Sequence, residues 1–350
     1  MKEKIIYLEI LRVICAIVVV LDHVCIAGIH IFEKGATVFD RFLYNGIQHW
    51  SHFAVPVFLM ITGYLLLDSK KEIGYKKAIT KYVWRMVAIL LTVGTVFAWM
   101  EIYFSTKSLA PYGLLTGLWN TIQGDTWDHL WYLYTLIGLY LVLPILKPLF
   151  DKLSKRELDT FLMIFFFFGS VMPAITSFTN FKCGVTLPIC SIYLFYFLIG
   201  RRIGIEEKKP LSMKKSTIIF IFLTITLFTC SYFEYYHAIH ELECLSIYSS
   251  PIVVLAGVLL FYIMKNLDTD VCQKLSTMGG VKRILQHIAD NSFGIYIFHM
   301  LFVNIIYKVI KFNPLEYDVW VIIPITFFVL IVSDFTTVIY RKVPYLGKFI

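Results

Sequence analysis

Long apolar runs, separated by short polar and basic segments, set the pattern of this chain. A bilayer core is crossed by about 17–25 consecutive apolar residues in a helix. Ten runs approach or reach that length, at approximately 5–28, 51–67, 84–104, 129–147, 158–176, 186–200, 217–233, 247–264, 291–310 and 318–340. In hydrocarbon every backbone N–H and C=O must be satisfied within its own segment, so each run is read as a helix. The sixth is the shortest and carries Pro188, which predicts an earlier start or a break. The first is too long for a signal peptide and lacks a small-residue cleavage site, so it is expected to remain as a helix. The expected fold class is all-α: a polytopic membrane protein of about ten transmembrane helices. It is expected to form a single domain over 1–350 with no appended soluble domain.

The basic residues alternate with these runs. Of 32 Lys and Arg, 25 fall at the N-terminus, in every second loop and at the C-terminus, 6 fall in the intervening loops, and Arg12 lies inside the first run. Basic loops stay on the cytoplasmic side, so both termini are expected inside, in a multi-pass protein of the bacterial cytoplasmic membrane. The net charge of +8 is thereby a matter of topology, and no nucleic-acid partner is expected. The longest outer loop, roughly 105–128, contains the apolar stretch Leu114–Trp119, expected to lie along the membrane surface.

Composition agrees with a lipid-embedded chain. Only 16% of residues are charged and 58% are hydrophobic, against about 25% charged in a soluble domain. Mean hydropathy is +0.73, which excludes a disordered chain. The cysteines number 7, with no CxxC spacing, so neither a disulfide framework nor a structural zinc site is expected. Cys183 and Cys244 fall on outer loops and leave one pairing open. No HExxH, GxGxxG or Walker A sequence is present, and no metal or bound cofactor is expected.

Polar groups inside the runs carry the candidate chemistry. Arg12 sits about 10 Å into the first helix and must face protein or water, at a cost of about 2.5 kcal/mol or more otherwise. A structural ion pair with Glu9, one turn earlier, is the alternative to a functional role. His23 follows eleven positions later, about 20° from three full turns, so the two side chains share one helix face about 16 Å apart. One face thus holds a cation near the cytoplasm and an imidazole near the outside, and the two are expected to line a common hydrated passage. Imidazole is the usual general base near neutral pH. Asp22 is expected to point about 100° away from His23, which argues against a dyad of neighbours. His52, with Pro56 and Gly63 beyond it, His129 with Trp131, and the mid-membrane His299 complete the candidates. Pro56 is expected to free a backbone carbonyl and Gly63 to permit close helix approach. Glu101 and Asp334 lie near run ends, where snorkelling suffices.

These residues resemble a known family. Tyr7-Leu8-Glu9-Ile10-Leu11-Arg12 followed by His23 resembles the Arg-x10-His signature of the integral-membrane acyltransferase 3 family. Val55-Pro56-Val57-Phe58 with Thr62-Gly63-Tyr64 is similar to its second-helix VPxFFxxSGY pattern, with Leu59 and Thr62 in place of the usual Phe and Ser. His129-Leu130-Trp131-Tyr132-Leu133 with Leu139-Tyr140 and Pro144 resembles its HLWFL…LY…P helix. Tyr196-Phe197 with Gly200, and Ser292 to Tyr296 with His299, are similar to later segments. An Arg-rich stretch after the second helix is represented here only by Lys77, Lys81 and Arg85.

The resemblance implies a stand-alone O-acyltransferase. It would move an acetyl or similar short acyl group from cytoplasmic acyl-CoA to a hydroxyl of a surface glycan or lipid-linked sugar. Acyl-CoA is then a donor substrate, and the bilayer a partner. His23, Arg12, Glu9 and His299 are the expected catalytic residues. Lys81, Arg85, His52, His129 and Trp131 are expected to bind acyl donor or substrate. A transporter or flippase for a polysaccharide or lipid-linked sugar is the other reading compatible with intramembrane charge, although no inverted repeat is visible.

Overall fold

The computed structural model describes residues 5–107, 112–179, 181, 183–185, 187, 191–207, 209–267 and 278–350. Pro188 and Cys190 lie outside them, as do Pro111 and Cys272. Twelve helices run along the described chain: α1 (Ile6–Ile31), α2 (Val38–Ser51), α3 (Ala54–Leu66) and α4 (Tyr75–Thr106). Next come α5 (Tyr112–Gln123), α6 (Asp128–Lys152), α7 (Lys155–Phe178) and α8 (Ile192–Gly204). Last come α9 (Met213–His237), α10 (Pro251–Lys265), α11 (Gly279–Val309) and α12 (Val319–Tyr340). No strand occurs among the described residues.

Seven of these helices, α1, α4, α6, α7, α9, α11 and α12, are long and apolar enough to cross a membrane. The second, sixth and eighth expected spans coincide with α3, α8 and α10, of 13, 13 and 15 residues. At 1.5 Å per residue these reach only about 20–23 Å, short of the roughly 30 Å hydrocarbon core. By length and composition seven of the described helices qualify as crossings, and α3, α8 and α10 are the shorter helices at the remaining expected spans.

The chain folds as two compact units. One comprises Met1–Asp68, Ser154–Ser292 and Asn313–Leu330, the other Ser69–Leu153, Phe293–Phe312 and Ile331–Ile350.

In the first unit, local sequence sets the helix starts. Thr37 opens α2 with a capping box, its hydroxyl accepting from the Asp40 N–H while the Asp40 carboxylate accepts from the Thr37 backbone. Ser154 and Glu157 do the same for α7. Ser250, followed by Pro251, opens α10. Pro56 lies in the first turn of α3, where no N–H is needed for the helix. It therefore frees no carbonyl within a longer span; the chain turns at His52–Phe53 instead.

The close approach expected at Gly63 is made against α8. A Cβ on Gly63 would overlap the Phe197 carbonyl, and one on Gly200 would overlap the Met60 backbone. Gly204, four residues on, faces the ring of Tyr64. Small residues at this spacing let helix backbones touch where apolar burial gives no drive. Helix α8 is also held to α7 by Arg202, which donates to both Asp159 oxygens at 2.7 and 3.0 Å. Helix α2 packs on α9, where Gly46 sits under Phe228 and Ser231 donates to the Phe42 carbonyl.

In the second unit, α5 lies against the C-terminal half of α4: a Cβ on Gly117 would crowd the Thr95 carbonyl, and one on Gly113 the Trp99 ring. Leu114, Leu115 and Trp119 on α5 are exposed, as suits a surface-lying helix. Helix α4 carries two wide, π-type stretches, Ala78–Val83 and Leu90–Gly94. Glu101 accepts from the Lys308 ammonium at 2.7 and 2.8 Å and from the Trp127 indole N–H at 2.9 Å. It is thus tied within the protein, not merely snorkelling at a helix end.

Candidate active site

Helix α1 is continuous from Ile6 to Ile31, so Glu9, Arg12 and His23 stand on one rigid rod. Its length places Arg12 and His23 about 16 Å apart along a common face. Glu9 is buried at 4% exposure, while Arg12 and His23 are half-buried. The positions between them are not wet. Cys15, Ala16, Val19 and Val20 are all buried, so the face is shared but packed with apolar side chains along its middle. The expected common hydrated passage is not open along these residues in this structure.

Around His23 the geometry is specific. Its Nδ1–H donates to the Val19 carbonyl at 2.9 Å. A carbonyl can only accept, so this bond fixes the tautomer and leaves the Nε2 lone pair as the ring's basic site. The Asp22 carboxylate is also near, with Oδ2 3.6 Å from Nδ1. Its other oxygen accepts from the Ser51 hydroxyl at 2.6 Å. Sequence spacing had pointed Asp22 away from His23. The flexible carboxylate of a neighbouring residue nevertheless swings back into charge range, although the hydrogen bond itself goes to Val19. Ser51 was not foreseen, because it lies 29 residues away and is delivered by α2.

His52 follows at the end of α2. Its Nδ1–H donates to the Ser246 carbonyl at 2.5 Å, and its ring lies 4.9 Å from that of Tyr248. His49 lies one turn earlier, its ring 6.4 Å from that of His52 and its Nε2 4.0 Å from Glu234. The C-terminal half of α1, the end of α2 and the 246–248 loop thus gather His23, Asp22, Ser51, His49 and His52 in one unit.

At the other end of α1, Tyr7 packs edge-on against Tyr64 and Phe261. The Arg201 guanidinium lies 5.6 Å from the Tyr64 ring centre and 3.6 Å from Asp68. This end of the same unit thus sets one guanidinium, shared with the Asp68 carboxylate, beside a cluster of aromatic rings.

The second unit holds the remaining candidates. His129 and His299 are buried at 1% and 0% exposure, their rings in a T-shaped contact 5.1 Å between centres. The His129 Nε2–H donates to the Ile297 carbonyl at 3.1 Å. The His299 Nδ1–H donates to the Tyr296 carbonyl at 2.7 Å. The Tyr296 hydroxyl closes the cluster by donating to the His129 carbonyl. The two rings therefore expose opposite nitrogens as acceptors, Nδ1 in His129 and Nε2 in His299.

Trp131 is half-buried beside Tyr132. Lys81 is exposed, on the first wide stretch of α4. Arg85 donates its Nε–H to the Phe349 carbonyl at 2.6 Å and lies 4.8 Å from the Phe293 ring centre. Part of its guanidinium is thus committed to holding the C-terminal segment. Cys183 and Cys244, whose pairing the sequence left open, are both free thiols.

No curated protein and no solved structure matches the chain. The family model described as an acyltransferase domain matches residues 5–338, nearly the whole chain, including both ends of the α1 face and the buried histidine pair. With an all-helical fold carrying seven candidate membrane spans, the chain belongs to the acyltransferase 3 family of membrane acyltransferases.

Proposed function

We propose that this membrane acyltransferase moves an acetyl or similar short acyl group from cytoplasmic acyl-CoA to a hydroxyl of a surface glycan or lipid-linked sugar. The observation that carries this reading is the fixed tautomer of His23, whose Nδ1–H is donated to Val19. It presents Nε2 as a proton acceptor on the same rod that carries Arg12.

In this account His23 Nε2 takes the proton of the acceptor hydroxyl as its oxygen attacks the thioester carbonyl. The new C–O bond forms, the C–S bond breaks, and the CoA thiolate leaves with the proton that His23 releases. The neighbouring Asp22 carboxylate stabilises the transient imidazolium, and Ser51 holds that carboxylate in place. Arg12 binds donor phosphate by charge-assisted hydrogen bonds, with Glu9 orienting it. The flexible arm of the donor covers the roughly 16 Å between the two groups. Because Ala16 and Val19 are packed here, its entry requires neighbouring side chains to part. In the second unit, taken by itself, Lys81 is an exposed cation open to anionic ligands, and Arg85 is partly committed to Phe349. His52, in the same unit as His23, contributes to acceptor binding. His299 and His129 form a second, buried polar centre in the other unit. In this reading both termini face the cytoplasm, which requires an even number of crossings and so counts one or all three of α3, α8 and α10 among them.

The test uses purified protein in sealed vesicles, with acetyl-labelled acetyl-CoA on the side of the basic loops and a glycan acceptor on the other. Label recovered on the glycan supports transfer. Glycan crossing the bilayer without label would replace this reading with transport.

A further inference from the structure

Beyond α12 the chain folds back within the second unit. Residues 341–350 close on themselves through local bonds: the Gly347 N–H donates to the Val343 carbonyl and the Phe349 N–H to the Leu346 carbonyl. Gly347 is pressed against the Arg341 backbone, where an added Cβ would lie 2.2 Å from the carbonyl oxygen. Ile350 is buried and packs on α11 at Gly294, where an added Cβ would lie 2.8 Å from its side chain. Among the described residues, a single hydrogen bond joins 343–350 to an element other than α12. It is the one the Arg85 Nε–H donates to the Phe349 carbonyl at 2.6 Å.

That bond leaves the guanidinium poorly matched. Arg85 carries a full charge and five N–H groups in a planar fork, and a carbonyl offers it one neutral oxygen. Beyond this bond the guanidinium lies over the Phe293 ring, 4.8 Å from its centre. Among the described residues no carboxylate pairs with it. Arg341, at the root of the segment, is near enough to repel it, and Lys81, one turn earlier on α4, is exposed. The segment itself is lightly held. Residues 341–345 are all exposed, and Tyr345 sits at φ 65°, a left-handed conformation that strains a bulky residue. Opening the turn relieves that strain.

We propose that 341–350 is a strap over an anion site at Arg85, and that a phosphate group displaces the Phe349 carbonyl and releases the strap. Phosphate matches what the carbonyl lacks, since it brings negative charge and paired oxygens to the guanidinium fork. On the basic side of the chain two sources present one, a soluble nucleotide such as CoA and the head group of an anionic lipid. The strap keeps Arg85 bonded while no anion is bound, and it lowers the apparent affinity for that anion by the fraction of time it is open. The inference does not rest on the transfer reaction and is tested without measuring transfer.

The full chain is purified in dodecyl maltoside, which carries no phosphate, and amide hydrogen exchange is followed over 343–350. CoA is added in one arm and phosphatidylglycerol in the other. Exchange at Gly347, Phe349 and Ile350 is expected to quicken about threefold or more as the strap opens. Acceleration by CoA alone assigns the site to a soluble phosphate, and acceleration by phosphatidylglycerol alone assigns it to a lipid head group. In Gly347→Ala the new methyl meets the Arg341 carbonyl and opens the turn without ligand. The probe that acts on the wild type is then expected to bind about threefold to tenfold more tightly. In Arg85→Met the response to either probe is expected to vanish. Exchange left unchanged or slowed by both probes would overturn the proposal, as would acceleration that survives in Arg85→Met. The wild-type exchange decides by itself should a variant fail to fold.

Discussion

The imidazole of His23 gives its Nδ1 proton to the carbonyl of Val19, 2.9 Å away and one helical turn earlier. A side chain bonded this way is held in one rotamer and one tautomer by its own helix, with Nε2 left to accept a proton. Asp22, 3.6 Å from the same nitrogen, adds a negative charge where positive charge would develop during transfer. Replacing it by Asn keeps an oxygen for Ser51 but removes that charge. A charge at this distance is worth about 1–4 kcal/mol between watery and protein-like screening. Asp22→Asn is therefore expected to lower kcat about tenfold or more with little change in KM for acyl-CoA. Steady-state kinetics in vesicles check this, and a change in KM alone would assign Asp22 to binding.

Arg12 carries the opposite signature. If it holds donor phosphate, Arg12→Ala removes a charge-assisted hydrogen bond worth about 1.5–3 kcal/mol. The expected result is a kcat/KM for acyl-CoA lower by about tenfold to more than a hundredfold. Arg12→Lys should restore part of it by returning the charge without the planar fork. Equal losses in both variants, with unchanged donor affinity, would point to a purely structural ion pair.

The α3–α8 contact predicts a stability effect independent of chemistry. Gly63→Ala places a methyl into the Phe197 carbonyl, a backbone atom that cannot rotate away. Overpacking of this kind costs about 1–3 kcal/mol, and more where backbone must shift. Gly35→Ala, with open space around it, is the matched control. Thermal unfolding in detergent should show a clear fall for the first and almost none for the second.

His49 predicts a pH dependence. It lies on α2, outside the candidate spans, and burial, aided by the nearby His52, pushes its pKa from 6.5 down to about 3. The Glu234 carboxylate 4.0 Å away favours the imidazolium but is outweighed by the loss of water. Between pH 6.5 and 3 the unfolded chain holds this proton and the folded chain does not. Stability is thus full above pH 6.5 and declines as pH falls through that window, by at most about 1.4 kcal/mol per unit. Unfolding midpoints measured from pH 7.5 to 5 should decline, with a shallower slope in His49→Asn. An identical slope in the two proteins would refute the assignment.

Much of this architecture was legible because hydrocarbon leaves a backbone so few choices. Each long apolar run carries a helix among its described residues, and Arg12 and His23 share a face, since helical periodicity is fixed. The number of crossings was less legible. Helices α3, α8 and α10 are apolar but short, and apolar character alone does not reveal where a helix stops. Helix α2 falls in a segment without a long apolar run, and its local mark in the sequence is Thr37 with Asp40, a capping pair three residues apart. Contacts between distant segments left no local trace. Ser51 on Asp22, Lys308 on Glu101 and Ser246 on His52 are separated by 29, 207 and 194 residues, and only the folded chain brings them together. The buried His129–His299 pair was visible as two separate motifs but not as one cluster.

The most direct measurement is acyl transfer by His23→Ala in vesicles, with membrane insertion and folding verified. Loss of a general base predicts a rate about 10²–10⁴ lower, with acyl-CoA binding retained through Arg12. Transfer at the wild-type rate by a folded His23→Ala protein would contradict the account at its centre.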